Sequence, residues 1–324
     1  PSMWPAWRQL ICCLFAASSA GVVGVALNPS RSLLRTVHRS GAAIPSIEIA
    51  PGVHMPVVMC GMGGPLFQLT SQPASSSAGK QGRERALTLA TSWLDLGGTG
   101  LDTAEVYNTE AETGQAWRSL GMARENVFIL DKVQPMITMS WVHPPGTTRN
   151  VVLQSLQTLN TTYIDLMLLH RPGPSARKSW EELERLHAEG KIRALGISNF
   201  EIADIQALLQ HATVKVSVNQ RRRSLLEPDT SVLNFCKAHD IAHQAYSPLS
   251  NSIGSLLHNM LVTNIAAKHQ KSTAQVALKW ILQSGGTLST QSENPKHQQE
   301  DMALFGWNLT AEDMAALNDL GRGK

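Results

Sequence analysis

Four side chains in this 324-residue chain, Asp102, Tyr107, Lys132 and His170, are of the types needed to move a proton onto an oxygen. Singly, each has an ordinary structural explanation. An Asp after a strand caps the next helix, a Tyr packs in a core, a Lys snorkels to solvent, and a His closing an apolar run hydrogen-bonds within the fold. Together they do more. A lysine ammonium beside a phenol favours the phenolate and lowers the phenol pKa from ~10, while an aspartate keeps that lysine charged and in place. A phenol tuned in this way is a usable general acid, and a histidine beside it can orient a polar substrate. No metal is expected in such a site.

The elements that must gather these residues are legible as alternation. From Ser46 onward, short apolar runs of β-favouring residues alternate with longer stretches of helical spacing, the pattern of repeated βα units and a parallel sheet. Eight such runs can be counted: VVMCGM near residue 60, GTGLDTA ending at Ala104, VFILDK ending at Lys132, IDLMLLH ending at His170, ALGISN ending at Asn199, VSVNQ ending at Gln220, IAHQAYS ending at Ser247 and TLSTQS ending at Ser292. Helices are expected over ALTLATSWLDLG, NVVLQSLQTL, SWEELERLHAEG, EIADIQALLQH and STAQVALKWILQSGG, with Gly190 and Gly285 where helix ends favour glycine. Seven of the eight runs finish on polar or ionisable residues. In a (β/α)8 TIM barrel the carboxyl ends of all strands converge on one rim, so these residues would share one site. IEIAPGVHMPVV, which precedes the first run, reads as an N-terminal β-hairpin turning at Pro51-Gly52 and closing the barrel floor. Residues 70–82, TSQPASSSAGKQG, are expected to be a mobile surface loop.

Composition agrees with one large domain. The chain is 43% hydrophobic and 16% charged, with 24 Gly and 16 Pro, which excludes collagen, coiled coil and wholesale disorder. Four cysteines do not make a disulfide framework. The net charge of +3 belongs to the N-terminus, where Arg8, Arg31, Arg35 and Arg39 stand before the first acidic residue, Glu48. The remainder holds 24 basic against 25 acidic residues and offers no footprint for nucleic acid. Residues 1–45 read as a targeting leader: an uncharged run from Ile11 to Leu27 is followed by an acid-free stretch rich in Ser and Arg. Import into an organelle such as an algal plastid, or entry to the secretory pathway, is expected; a membrane anchor or a cytoplasmic protein with a disordered tail is the alternative. The barrel, residues 46–324, is expected to be a monomer off the membrane, with Cys60 and Cys236 as buried thiols.

The strings LDTAEVYNTEAETGQA, ILDKV, SLQTLNTTYIDLMLLHRP, GISNF, VNQ, AYSPL, TAQVALKW and NLTAEDMAAL, in this order from about Ser46 to Leu320, resemble an aldo-keto reductase. The resemblance implies a (β/α)8 barrel and reduction of an aldehyde or ketone to an alcohol by hydride from NADPH. It implies a catalytic tetrad of Asp102, Tyr107, Lys132 and His170, with Tyr107 giving the proton. Ser198, Asn199 and Gln220 match the positions that bind the nicotinamide carboxamide, and Tyr246 matches the ring on which the nicotinamide stacks. Ser247 and Leu249 match pyrophosphate contacts. Gln291, Ser292, His297, Glu300 and Asp301 fall at the adenosine end.

Several positions depart from the family's pattern. The Lys and Arg that hold the 2′-phosphate of NADP are replaced by Gln291 and His297, with Asp301 nearby and Lys296 as a possible substitute, so weakened 2′-phosphate selectivity and use of NADH are expected. Gly61, Met62 and Gly63 stand where the family carries Gly-Thr-Trp, which implies a wider pocket. Arg171 replaces a Trp after the histidine and is expected to turn outward. Arg221 to Arg223 are expected to form a solvated loop, with contact to the cofactor phosphate as the alternative. The loop from Ser250 to Met260 is short, which implies a small belt over the cofactor. A regulatory or structural subunit of the same fold, binding nicotinamide without catalysis, is the rival reading.

Overall fold

The computed structural model describes residues 43–135, 148–249 and 253–320. Nearly all of the expected leader lies outside the described residues. So do Ser250 to Ser252 of the expected belt loop, after which the chain forms short helices Ile253–Leu257 and Met260–His269.

Strands β1 (Ser46–Ala50) and β2 (Val53–Pro56) form the expected antiparallel hairpin. Gly52 takes φ +69° at its turn, a left-handed conformation that glycine adopts without strain, and its N–H donates to Glu48 Oε1 at 2.8 Å. Eight parallel strands follow: β3 (Val58–Gly61), β4 (Gly100–Asp102), β5 (Phe128–Val133), β6 (Ile164–Leu169), β7 (Ile192–Ser198), β8 (Val216–Arg222), β9 (Ala242–Tyr246) and β10 (Thr287–Thr290). They close into a barrel, β10 pairing with β3 in the register Leu288↔Val58 and Thr290↔Cys60. Every run read from the sequence is one of these strands.

Side chains alternate across each strand, and this decides what faces the lumen. Along β5, Phe128 and Leu130 pack with Leu166, Leu168 and Val218 inside the barrel, whereas Ile129 and Val133 join the larger core beneath the helices. Ile49, Val53 and Met55 of the hairpin belong to the inner cluster and plug its floor. Period two then carries the inward face upward from Leu130 to Lys132, from Leu168 to His170 and from Val218 to Gln220. The polar residues thus cap an apolar stack at the carboxyl ends of the strands.

Two expectations are corrected. Residues 70–82 are not a loop from end to end. Helix Ser77–Asp95 starts within them, capped by the Ser76 hydroxyl, which accepts from Gly79 N at 3.0 Å. Gly79 and Gly82 serve close packing: a Cβ on Gly79 would lie 2.2 Å from Pro73 O, and one on Gly82 would lie 2.7 Å from Leu69 Cβ. Arg221 to Arg223 are not a solvated loop either. Arg221 and Arg222 end β8, with Arg221 paired to Asp229 and Glu201 and Arg222 to Glu227. Arg223 is buried over the Trp280 ring and donates to Pro228 O and Ser284 Oγ, so these three charges hold the chain to itself. Cys60 and Cys236 are free and buried, as expected.

Candidate active site

Asp102 is the last residue of β4 and stands level with Leu130 of β5 and Gly61 of β3. The Lys132 ammonium, from β5, donates to Asp102 Oδ1 and, at 2.9 Å, to Thr103 O. Both side chains are buried. Burial works against the ammonium, but the charges of Asp102 and Tyr107 outweigh it and hold the Lys132 pKa above the ordinary lysine value. Gln220 Nε2 donates to the other Asp102 oxygen at 2.9 Å and to Gln244 Oε1 at 2.7 Å. The aspartate is therefore pinned from two strands.

Tyr107 ends a short 3-10 turn, Glu105–Tyr107, just beyond β4. Lys132 Nζ lies 4.9 Å from the centroid of its ring. Its hydroxyl is 3.5 Å from His170 Nε2, with the two rings edge to face at 5.6 Å. His170 is buried, and burial first, then the charges of Lys132 and Arg171, push its pKa down to about 3. The imidazole is accordingly neutral near pH 7. Four residues separated by up to 68 positions in sequence are thus one contiguous cluster.

A cavity of about 490 Å³ opens over this cluster, with Asp102, Tyr107, Gln220, Tyr246 and Gln291 on its wall. Ser247 and Leu249 line it beyond Tyr246. Ser198 and Asn199, at the end of β7, are tied into the same network: Ser198 Oγ donates to Gln220 O at 2.9 Å, Asn199 Nδ2 to His170 O at 2.9 Å, and Tyr246 Oη to Asn199 Oδ1 at 2.8 Å. The expected wider pocket at Gly63 is not found beside its Cα. The Tyr107 ring packs there, and a Cβ on Gly63 would come within 2.7 Å of it. Arg171 is exposed, in agreement with the outward orientation.

At the other end of the cavity Gln291 turns inward, its Nε2 donating to Gly63 O at 2.9 Å. Ser292 Oγ lies 3.3 Å from Nδ1 of the exposed His297, and Glu300 is half-buried. Asp301 is buried, accepting from Thr290 Oγ1 at 3.1 Å, and so supports β10 from below. Arg85 is engaged by Glu293 through two contacts of 2.7 and 2.6 Å.

Burial raises the Asp301 pKa to about 7, Thr290 opposing and Glu300 adding to the shift. An acid whose folded pKa lies above its unfolded value favours folding while protonated. That contribution is lost as pH rises from about 4, the unfolded value, to about 7. Asp301→Asn keeps an acceptor for Thr290 without the charge. Its stability relative to the parent chain is expected to grow between pH 5 and pH 8, by up to about 4 kcal/mol from a shift of roughly three units. Urea midpoints of both proteins across that range check this, and a difference independent of pH would contradict it.

Sequence reading missed Gln134, Gln244 and Glu105. Gln134 Nε2 is 3.3 Å from His170 Nδ1, and Glu105 Oε1 accepts from Gln134 N at 2.7 Å. The signal for both glutamines was period two, because each lies two positions from a site residue, Lys132 or Tyr246, along the inward face.

A family model described as the aldo/keto reductase family matches residues 68–322. The glyoxal reductase of Bacillus subtilis (strain 168) is 37% identical over 225 residues, spanning 68% of this chain and 78% of that protein. The NADPH-dependent alpha-keto amide reductase of Saccharomyces cerevisiae is 33% identical over 236 residues, 68% of this chain and 74% of its own length. Among solved structures, the aldo/keto reductase from Brucella melitensis is similar with a TM-score of 0.73 at 28% identity, covering 86% of this chain and all of that one. Barrel, order of motifs and the extent of these matches agree, and the chain belongs to the aldo/keto reductase family of oxidoreductases.

Proposed function

We propose that the protein reduces the carbonyl group of a small aldehyde or ketone to an alcohol, with NADPH or NADH as reductant and Tyr107 as general acid. The observation that carries this reading is the cluster itself: a phenol flanked by a buried ammonium and a neutral imidazole, opening onto a cavity of about 490 Å³.

The residues present fit a nicotinamide dinucleotide. The cavity is within the range of about 300–1,000 Å³ usual for small-molecule sites, and an aromatic ring, Tyr246, stands on its wall beside amide side chains. Tyr246 would stack on the nicotinamide, and Ser198, Asn199 and Gln220 would hold its carboxamide. Ser247 and Leu249 would contact the pyrophosphate. Gln291, Ser292, His297 and Glu300 would border the adenosine, with Asp301 bracing Thr290 beneath them. When bound, the reduced nicotinamide supplies the hydride that adds to the carbonyl carbon.

The chain's own residues handle the oxygen. As negative charge develops there, the Tyr107 hydroxyl gives it a proton, and the O–H bond of the alcohol forms. The charge left on the phenol oxygen is stabilised by Lys132, which Asp102 keeps in place. His170, neutral, orients the carbonyl by a hydrogen bond to the same oxygen. Solvent returns a proton to Tyr107 after release, so one hydride and one proton are consumed per carbonyl.

The adenosine end supports relaxed cofactor choice. Gln291 is neutral and spends its donor on Gly63, and Arg85 is neutralised by Glu293. The test is the rate of consumption of NADPH and NADH with a panel of aldehydes and ketones that includes glyoxal and an α-keto amide. Turnover with both cofactors is expected, with the preference in kcat/KM below about a hundredfold, or roughly 2.7 kcal/mol. A stronger preference for NADPH would contradict the part assigned to Gln291 and His297. Tight cofactor binding without turnover on any substrate would favour a regulatory subunit.

A further inference from the structure

We propose that Gln134 is a positioning residue for His170, its amide nitrogen holding the single ring proton on Nε2, the nitrogen that faces Tyr107. The inference rests on the reading that Tyr107 and His170 serve one carbonyl oxygen.

The backbone around the imidazole is fixed on two sides. His170 N donates to Val133 O at 2.9 Å, and Asn199 Nδ2 donates to His170 O at 2.9 Å. What remains to be set is the tautomer. Nδ1 faces Gln134 Nε2 at 3.3 Å, and Nε2 faces the Tyr107 hydroxyl at 3.5 Å. An amide nitrogen only donates, so the imidazole nitrogen opposite it must offer its lone pair. Being neutral, His170 then carries its proton on Nε2. The Gln134 carbonyl oxygen is buried with no partner among the described residues, so the side chain is spent on this one contact. Its backbone is tied to the acid as well. Gln134 N donates to Glu105 Oε1 at 2.7 Å, and Glu105 opens the turn that ends at Tyr107.

The tautomer decides which way the Tyr107 proton goes. With hydrogen on Nε2, His170 and Tyr107 are two donors converging on the substrate oxygen. With hydrogen on Nδ1, the bare Nε2 would accept from the Tyr107 hydroxyl and compete with the substrate for the proton. Gln134 selects the first arrangement.

The test compares two substitutions. Gln134→Glu keeps shape but offers only acceptors to Nδ1, which draws the proton there; Gln134→Leu merely removes the contact. If Gln134 were only packing, the isostere would be the milder change. The expected order is the reverse: at pH 7.5 kcat falls about a hundredfold in Gln134→Glu and about tenfold in Gln134→Leu, with cofactor affinity unchanged in both. Activity of Gln134→Glu should recover in part on acidification, because a carboxylate at Nδ1 raises the His170 pKa and an imidazolium again carries hydrogen on Nε2. The other groups facing His170 are Tyr107 at Nε2 and the cations Lys132 and Arg171, which oppose that protonation, with Glu105 behind Gln134. A second readout needs no turnover: 15N shifts of the His170 ring in cofactor-free protein, assigned by loss of the signal in His170→Asn. Hydrogen on Nε2 in the parent chain supports the proposal. Hydrogen on Nδ1, or a Gln134→Glu enzyme at least as active as Gln134→Leu, overturns it. A parent chain without reductase activity would instead overturn the reading of the site, leaving the spectrum to decide on Gln134.

Discussion

Tyr107→Phe is expected to lower kcat by about a thousandfold or more while leaving the affinity for NADPH within about twofold of the parent chain. The phenylalanine ring keeps the contact with Gly63, where the tyrosine ring already sits so close that a Cβ would come within 2.7 Å. It also keeps the edge-to-face contact with His170 at 5.6 Å. Only the proton is removed. Because that proton moves as charge builds on the carbonyl oxygen, its loss raises the barrier by about 4 kcal/mol without changing the ground state. Steady-state rates and cofactor titration by fluorescence check both halves. A variant retaining a tenth of the parent activity would show that the acid lies elsewhere.

Lys132→Met is expected to damage stability and catalysis together. The ammonium is buried against Asp102 and Thr103 O, so its removal leaves the Asp102 carboxylate in the barrel with only the Gln220 donor at 2.9 Å. Stranding one partner of a buried ion pair costs about 3–5 kcal/mol, and loss of the charge beside Tyr107 should lower kcat by a further hundredfold or so. The double change Asp102→Asn with Lys132→Met should recover much of the stability and none of the activity. Urea unfolding and kcat measured on the three proteins separate the two effects. A single variant as stable as the parent would mean that Lys132 does not hold Asp102 as a carboxylate.

Much of this architecture was legible in the sequence for a definite reason. Each barrel strand is an apolar run ending on a polar residue, and βα alternation leaves few ways to arrange such runs. The tetrad was legible because its residues sit at those run ends. What escaped is equally physical. The start of helix Ser77–Asp95 looked like a loop because Gly79 and Gly82, spaced for close packing on Pro73 and Leu69, carry the composition of a flexible linker. The three arginines after Asn219 and Gln220 looked solvated because their partners, Asp229, Glu201, Glu227, Ser284 and Trp280, lie on other elements. Gln134 was overlooked because an amide has no charge to draw notice, and its meaning depends on which nitrogen of a distant histidine it meets. Gly63 shows the converse error: an absent aromatic side chain suggested space, which the Tyr107 ring occupies.

The account stands or falls on hydride and proton arriving at the two ends of one carbonyl bond. The most direct measurement uses NADPH carrying deuterium at the transferable C4 position, the whole chain, and a small aldehyde, with the product alcohol analysed by mass spectrometry and NMR. One deuterium on the former carbonyl carbon, absent from the product when Tyr107→Phe replaces the parent chain under the same conditions, is the predicted result. Bound cofactor that keeps its deuterium in the presence of every aldehyde and ketone tried would contradict it.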